Sequence, residues 1–189
     1  MKTLKIKGTE YHVRNEAKEV TLEELAKISS LLDSEGDFTD KWLRVIEILG
    51  GREIIEVLTS KQFVDLVGSI QITDVTQSIQ ETIEIGGRIY KCNLENNELQ
   101  LSAKDMSMLE RMVAKGGVWG SKAFAVVYKD EDLTNNEHYT DAHIKHKSEL
   151  FGKHVTADIA APVIFHLSKL VVEHIQALID AQNPSVPTN

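Results

Sequence analysis

A single cysteine, Cys92, occurs in 189 residues. No disulfide can staple the chain from within, and a reducing compartment is the simpler setting. Proline is scarce as well, with Pro162, Pro184 and Pro187 only. The last two lie in the polar stretch 182–189, which reads as a flexible tail. Pro162 falls inside an apolar-periodic segment, where it should kink a helix or mark a break between two helices. Long hydrophobic runs are missing. Ile159 to Leu167 is short and interrupted by Pro162 and His166, whereas a membrane-crossing helix needs roughly 20 apolar residues. The first ten residues alternate charged and apolar types, unlike a signal peptide. Excess positive charge is absent too. Lys and Arg number 21 against 29 Asp and Glu, for a formal charge of −8. Nonspecific nucleic-acid binding needs clustered cations, so this balance opposes it. These shortages together give the expectation of a soluble, cytoplasmic protein that binds neither nucleic acid nor membrane. Hydrophobic residues make up 42% of the chain, which is ordinary for a globular fold.

What is present begins with a duplication. Thr3-Leu4-Lys5-Ile6-Lys7-Gly8-Thr9-Glu10-Tyr11 aligns without a gap with Thr82-Ile83-Glu84-Ile85-Gly86-Gly87-Arg88-Ile89-Tyr90, an offset of 82 − 3 = 79. The same offset sets Val13 near Cys92, and Glu19-Val20-Thr21-Leu22 on Glu98-Leu99-Gln100-Leu101. An insertion of two residues then brings Leu25, Ile28, Leu31 and Leu32 onto Met106, Leu109, Met112 and Val113, and Trp42 falls near Trp119. Fixed-period similarity of this kind points to tandem modules. Each is small enough to be marginal alone, so the two are expected to share buried surface.

Each copy opens as a β-hairpin, with apolar residues alternating about Gly8-Thr9 or Gly86-Gly87. In the first copy, Thr21 and Glu24 have the spacing of a capping box before a stripe of Leu22, Leu25, Ile28, Leu31 and Leu32. Ser34 to Asp37 breaks that helix. A second helix with Trp42, Val45, Ile46 and Leu49 follows and ends at Gly50-Gly51. A last helix is capped by Thr59 or Ser60. In the second copy, Ser102 caps a helix with Asp105 three residues on. Trp119 to Tyr128 reads as a helix by register with the first copy, although Ala123 to Tyr128 has strand composition. The fold class is therefore α+β and mostly helical, as two tandem pseudo-repeats, each a hairpin followed by about three helices. Module 1 spans residues 1–72 and module 2 spans 80–181, with an insertion at 129–153. The final helix runs from about Val155 to Ala181.

Candidate chemistry is thin. His138, His143, His146 and His154 cluster with Glu137, Asp141 and Glu149. His143 and His146, at i and i+3, could share a metal ion on a helix. The spacing matches no tight zinc motif and no cysteine assists, so a solvated histidine-rich surface loop is the plainer reading. His166 and His174 edge the last apolar stripe. Gly116-Gly117-Val118-Trp119-Gly120 could offer backbone N–H groups to an anion but lacks the lysine and spacing of a P-loop. The four serines at 102, 107, 121 and 148 show no nucleophile-elbow context. No acidic pair sits in an apolar setting that would raise a pKa for catalysis. Cys92 reads as a small buried residue rather than a reactive thiol. Neither a cofactor nor an enzymatic activity is expected.

Two stretches carry a resemblance. The first hairpin, Val20-Thr21-Leu22-Glu23-Glu24-Leu25-Ala26-Lys27-Ile28 and Lys41-Trp42-Leu43-Arg44-Val45-Ile46 resemble the opening of small tail assembly chaperones of tailed bacteriophages. Ala123 to Asp130, Tyr139-Thr140, Glu149-Leu150-Phe151 and Thr156 to Ala160 resemble the later part of such proteins and of small baseplate-hub proteins. The resemblance implies a non-enzymatic protein in the host cytoplasm that binds a tail component, such as the tape measure or hub, during assembly. The alternatives are a structural subunit retained in the virion, or a His-dependent metal-binding protein or enzyme. The partner surface is expected at Ile175, Leu178 and Ile179. They lie beyond the length of the corresponding helix in the first copy and exceed what one module can bury. Self-association is a further possibility for the same surface.

Overall fold

A computed structural model describes residues 1–72, 78–96, 98–114, 120–130 and 140–182. The first half opens with strands β1 (Lys2–Ile6) and β2 (Thr9–Val13), then a 3-10 turn at Ala17–Glu19. Helices α1 (Leu22–Asp33), α2 (Phe38–Gly50), α3 (Arg52–Ile55) and α4 (Ser60–Val67) follow. The second half has β3 (Thr82–Ile85), β4 (Arg88–Lys91), the short pair β5 (Leu94–Glu95) and β6 (Glu98–Leu99), and helices α5 (Ala103–Ala114) and α6 (Gly120–Val127). Strand β7 (Lys129–Asp130) comes next, followed by helices α7 (Asp141–His154) and α8 (Ala157–Gln182). The class is α+β and mostly helical. Among the described residues four helices follow each hairpin, one more than expected.

The hairpins match in register. Leu4 faces Tyr11 and Ile83 faces Tyr90, and the tips close at Ile6–Thr9 and Ile85–Arg88. Both turns hold two residues at positive φ, 50° and 87° at Lys7-Gly8 and 60° and 77° at Gly86-Gly87. That geometry matches the right-handed twist of the paired strands and favours glycine. Their surroundings differ. Ile6 and Ile85 are both buried, but Leu4 and Tyr11 are half-buried where Ile83 and Tyr90 are fully buried. The cause is cover. The second hairpin gains β7 as a third strand and packs the ring of Tyr90 edge-on against Phe151 of α7, with centroids 4.8 Å apart.

Correspondence extends to the first caps. The Thr21 hydroxyl accepts from Glu24 N while the Glu24 carboxylate accepts from Thr21 N. Ser102 and Asp105 make the same reciprocal pair. Beyond these caps the halves part. Helix α2 has 13 residues and α6 has 8, and α3 and α4 are far shorter than α7 and α8. The register match therefore belongs to the hairpins and caps and does not establish a repeat of whole halves. Trp119 lies outside the described residues, so its pairing with Trp42 has no structural counterpart to compare.

Two apolar clusters share members across the halves. Leu22 of α1 sits in the second-half core, and Ala157 of α8 sits in the first-half core. A short antiparallel bridge explains the exchange. Leu22 N donates to Val155 O at 2.7 Å, and Ala157 N donates to Val20 O at 2.7 Å. The starts of α1 and α8 are thus tied backbone to backbone, which aims α8 across both halves. Pro162 does not break α8, which runs as one helix through it. As the sixth residue of α8 it lies past the first turn, so the bond that position 162 would make to Asp158 O is lost while the helix continues.

The segment 129–153 corrects the sequence reading. It is not a solvated loop over 141–154. Thr140 caps α7 by accepting from His143 N at 3.2 Å. Helix α7 buries Ile144, Lys147, Ser148 and Phe151 against α6. Phe151 meets Phe124 edge-on at 5.5 Å, and Phe124 stacks on Tyr128 at 4.4 Å.

Candidate protein–protein interface

Helix α8 changes character at Val171. Up to that point its buried residues, Ala157, Ala160, Ala161, Val163, Leu167 and Val171, recur at helical spacing and face the core. From Val172 to Ala181 ten consecutive residues are exposed. A helix lying along a surface hides one residue in every three or four, so a run of ten means that this end projects as an arm. The last anchor before it leaves is His174, whose Nε2 lies 3.0 Å from Glu110 Oε1 of α5. That carboxylate oxygen is buried and accepts no hydrogen bond among the described residues, and the imidazole is its near polar neighbour.

The arm is apolar. Val172 is 66% exposed, Ile175 37%, Leu178 46% and Ile179 47%, and Phe165 adds a further 55% nearer the core. Phe165, Val172, Ile175 and Ile179 step by seven, three and four residues, which aligns them on one face. The expected surface residues Ile175, Leu178 and Ile179 are thus solvent-facing and close together. Sequence reasoning missed Phe165 and Val172, although the heptad step was available as a signal. By length and composition α8 is also long and apolar enough to cross a membrane, but its first half is occupied by core contacts.

A second open surface lies in the first half. A shallow groove of about 740 Å³ runs between α1, α2 and α3. Half-buried Leu31, Ile48 and Ile55 are apolar in its lining, and Lys27, Arg44, Glu47, Arg52 and Glu56 supply the charge. Lys27 is paired with Glu23 at 2.7 Å, and Arg52 stands 4.0 Å from Glu56. Among the described residues Arg44 makes no ion pair or hydrogen bond.

The histidine candidates disperse. His143 is half-buried on α7, while His146 and His154 are exposed on the same helix. His138 lies outside the described residues, as do Gly116 to Trp119 of the glycine-rich segment. Among the described residues no three His, Cys, Asp or Glu side chains are grouped so as to hold a metal ion. His166 packs edge-on to Phe165 at 6.1 Å.

A small polar cavity of about 240 Å³ is lined by Cys92, Asn93, Gln100, Asp105, Lys129 and Asp130, among others. Lys129 Nζ reaches buried Asp105 at 2.9 Å, and Arg88 stands 3.8 Å from Asp130. Cys92 is buried, and its thiol donates to Gln80 O at 3.4 Å, where the Tyr128 hydroxyl also donates at 2.5 Å. Burial pushes both the Cys92 thiol and the Tyr128 hydroxyl up. Neither ionises readily, so neither is primed as a nucleophile.

Close by, Lys147 is 3% exposed and its Nζ donates to Tyr128 O at 2.6 Å. Burial lowers its pKa from 10.5 to about 7, with Asp130 and Asp105 pulling it back up and Lys129 adding to the fall. The sequence offered no sign of this lysine among the charged residues of its segment.

These features define an α+β, mostly helical protein with a projecting apolar arm and an apolar, charge-rimmed groove. No known protein family, curated protein or solved structure matches the chain.

Proposed function

We propose that this protein is a non-enzymatic assembly factor that acts by docking the α8 arm on a protein partner. The observation that carries this reading is the unbroken exposure of Val172 to Ala181 with Val172, Ile175, Leu178 and Ile179 on it. Exposed apolar helix surface of this kind is costly in water and usually marks an interaction site. The residues that resemble phage tail assembly chaperones give the setting, which is contact with a tail component such as the tape measure or hub in the host cytoplasm. Whether the protein stays in the particle is decided by mass spectrometry of purified virions.

The test is Leu178→Asp. Leu178 is about half exposed already, so the change should lower fold stability by only about 1 kcal/mol. A carboxylate placed in a desolvated contact costs several kcal/mol, so co-purification with tail proteins should fall at least tenfold. A variant that keeps its tail partners removes the arm from the docking surface. A variant that melts far below wild type assigns Leu178 to the core instead.

A further inference from the structure

The arm and the groove belong to one chain, and among the described residues no hydrogen bond or ion pair joins them. Helix α8 packs mainly on the 3-10 turn, α6, α1, α5 and β6, and its projecting end is exposed from Val172 to Ala181. Their chemistry is complementary. Residues 172–182 carry Glu173 and Asp180 and no Lys or Arg. The C-terminal end of a helix adds partial negative charge through its unsatisfied carbonyls. The groove sets Lys27, Arg44 and Arg52 beside Glu47 and Glu56 around Leu31, Ile48 and Ile55. Lys27 and Arg52 are paired with Glu23 and Glu56, which leaves Arg44, without an ion pair or hydrogen bond among the described residues, as the cation open to a carboxylate. Symmetric pairing of two arms, by contrast, brings two acidic segments together with no Lys or Arg in either.

We infer that the α8 arm of one copy docks in the α1–α2–α3 groove of a second copy. The inference rests on the arm being a docking element and adds its occupant. Arm and groove are different surfaces, so the contact is heterologous: each copy gives an arm and receives one, which leads to a closed ring or an open chain of copies. Ile175, Leu178 and Ile179 supply the apolar contact with Leu31, Ile48 and Ile55, and Arg44 faces Asp180. A tail component that takes the arm competes with this contact.

Sedimentation velocity of the full chain over a concentration series tests it. Wild type should associate in a concentration-dependent way below roughly 100 µM. Arg44→Glu and Asp180→Lys should each weaken association roughly tenfold, and the two together should restore part of it. Both positions are exposed, so thermal melts should stay near wild type. A crosslinking experiment fixes the geometry, because the native Cys92 is buried. Ile179→Cys mixed with Glu56→Cys should give an oxidised dimer that neither variant gives alone. A monomer at every concentration overturns the inference. So does association that is lost in Leu178→Asp but unchanged in Arg44→Glu, or crosslinking by Ile179→Cys alone. In those cases retention of tail proteins by wild type and their loss from Leu178→Asp leaves the docking role of the arm standing. Loss of self-association and of tail binding as separate events tells the two failures apart.

Discussion

Replacing Lys147 with Met should raise stability at pH 6 and lose that advantage near pH 10. Lys147 lies in the middle of α7 with 3% of its surface exposed, and its Nζ is 5.8 Å from the centre of the Phe151 ring. Burial brings its pKa from 10.5 to about 7. At about 1.4 kcal/mol for each tenfold change, holding the ammonium inside the folded protein costs about 5 kcal/mol. Between about pH 7 and 10.5 the unfolded chain keeps a proton that the native amine has released. Stability therefore rises with pH through that window, and below it the full cost is present. Methionine keeps the stem and removes the charge. It also leaves Tyr128 O without the donor now 2.6 Å away, at a cost of about 1–3 kcal/mol. The difference favours the variant by roughly 2–4 kcal/mol at pH 6. Near pH 10 little of the ionic cost remains, and wild type becomes the more stable by about 1 kcal/mol. Urea unfolding of both proteins at several pH values isolates this residue and its charged neighbours Asp105, Lys129 and Asp130, because the titrating groups remote from it cancel in the difference. A deficit in Lys147→Met that is the same at pH 6 and pH 10 refutes the reasoning, since it means the ammonium is fully compensated where it lies.

Two further changes probe the first half. Arg14 clasps Glu24 through two bonds of 2.7 and 2.8 Å and also donates to Ile48 O, Leu49 O and Glu19 O. Burial pushes the Glu24 carboxyl up, but the Arg14 guanidinium and the hydrogen bonds from Thr21 together outweigh it and hold the group below its ordinary value of 4.5. This contribution is present above pH 4.5 and is lost as pH falls through the lowered native value. Arg14→Ala should cost roughly 3 kcal/mol at neutral pH and move acid unfolding to higher pH. An unchanged acid midpoint counts against the clasp. At Gly50 an added Cβ would stand 2.8 Å from Val13 Cγ2 and 3.4 Å from His12 O, so Gly50→Ala should lower stability by roughly 1–2 kcal/mol despite the better helix former. A variant that melts above wild type shows that α2 and β2 approach less tightly than described.

The sequence by itself determined the local elements, and the reason is that their signals are local. Gly86-Gly87 closed the second hairpin as read, whereas the first turns at Lys7-Gly8, one residue before the expected Gly8-Thr9. The Thr21–Glu24 and Ser102–Asp105 boxes started α1 and α5 where hydroxyl and carboxylate reach backbone N–H groups within one turn. The helix at Ala123 to Val127 followed from register with the first copy. The exposed end of α8 was legible too, because Ile175, Leu178 and Ile179 extend an apolar pattern beyond what one module can cover. Only the tertiary structure decided what happens to 141–154. Helix α7 has just Ile144 and Phe151 as fully buried apolar residues along its length, so its periodicity is faint. Its burial comes from packing on Phe124, Tyr128 and Tyr90, which are distant in sequence. The burial of Lys147, the third strand beside β4, and the bridge that joins the starts of α1 and α8 arise in the same way. The groove between α1, α2 and α3 belongs with them, since Leu31, Ile48 and Ile55 meet only when three helices turn back on one another. Contacts between residues far apart in the chain leave no local pattern, so packing places them and composition and periodicity do not.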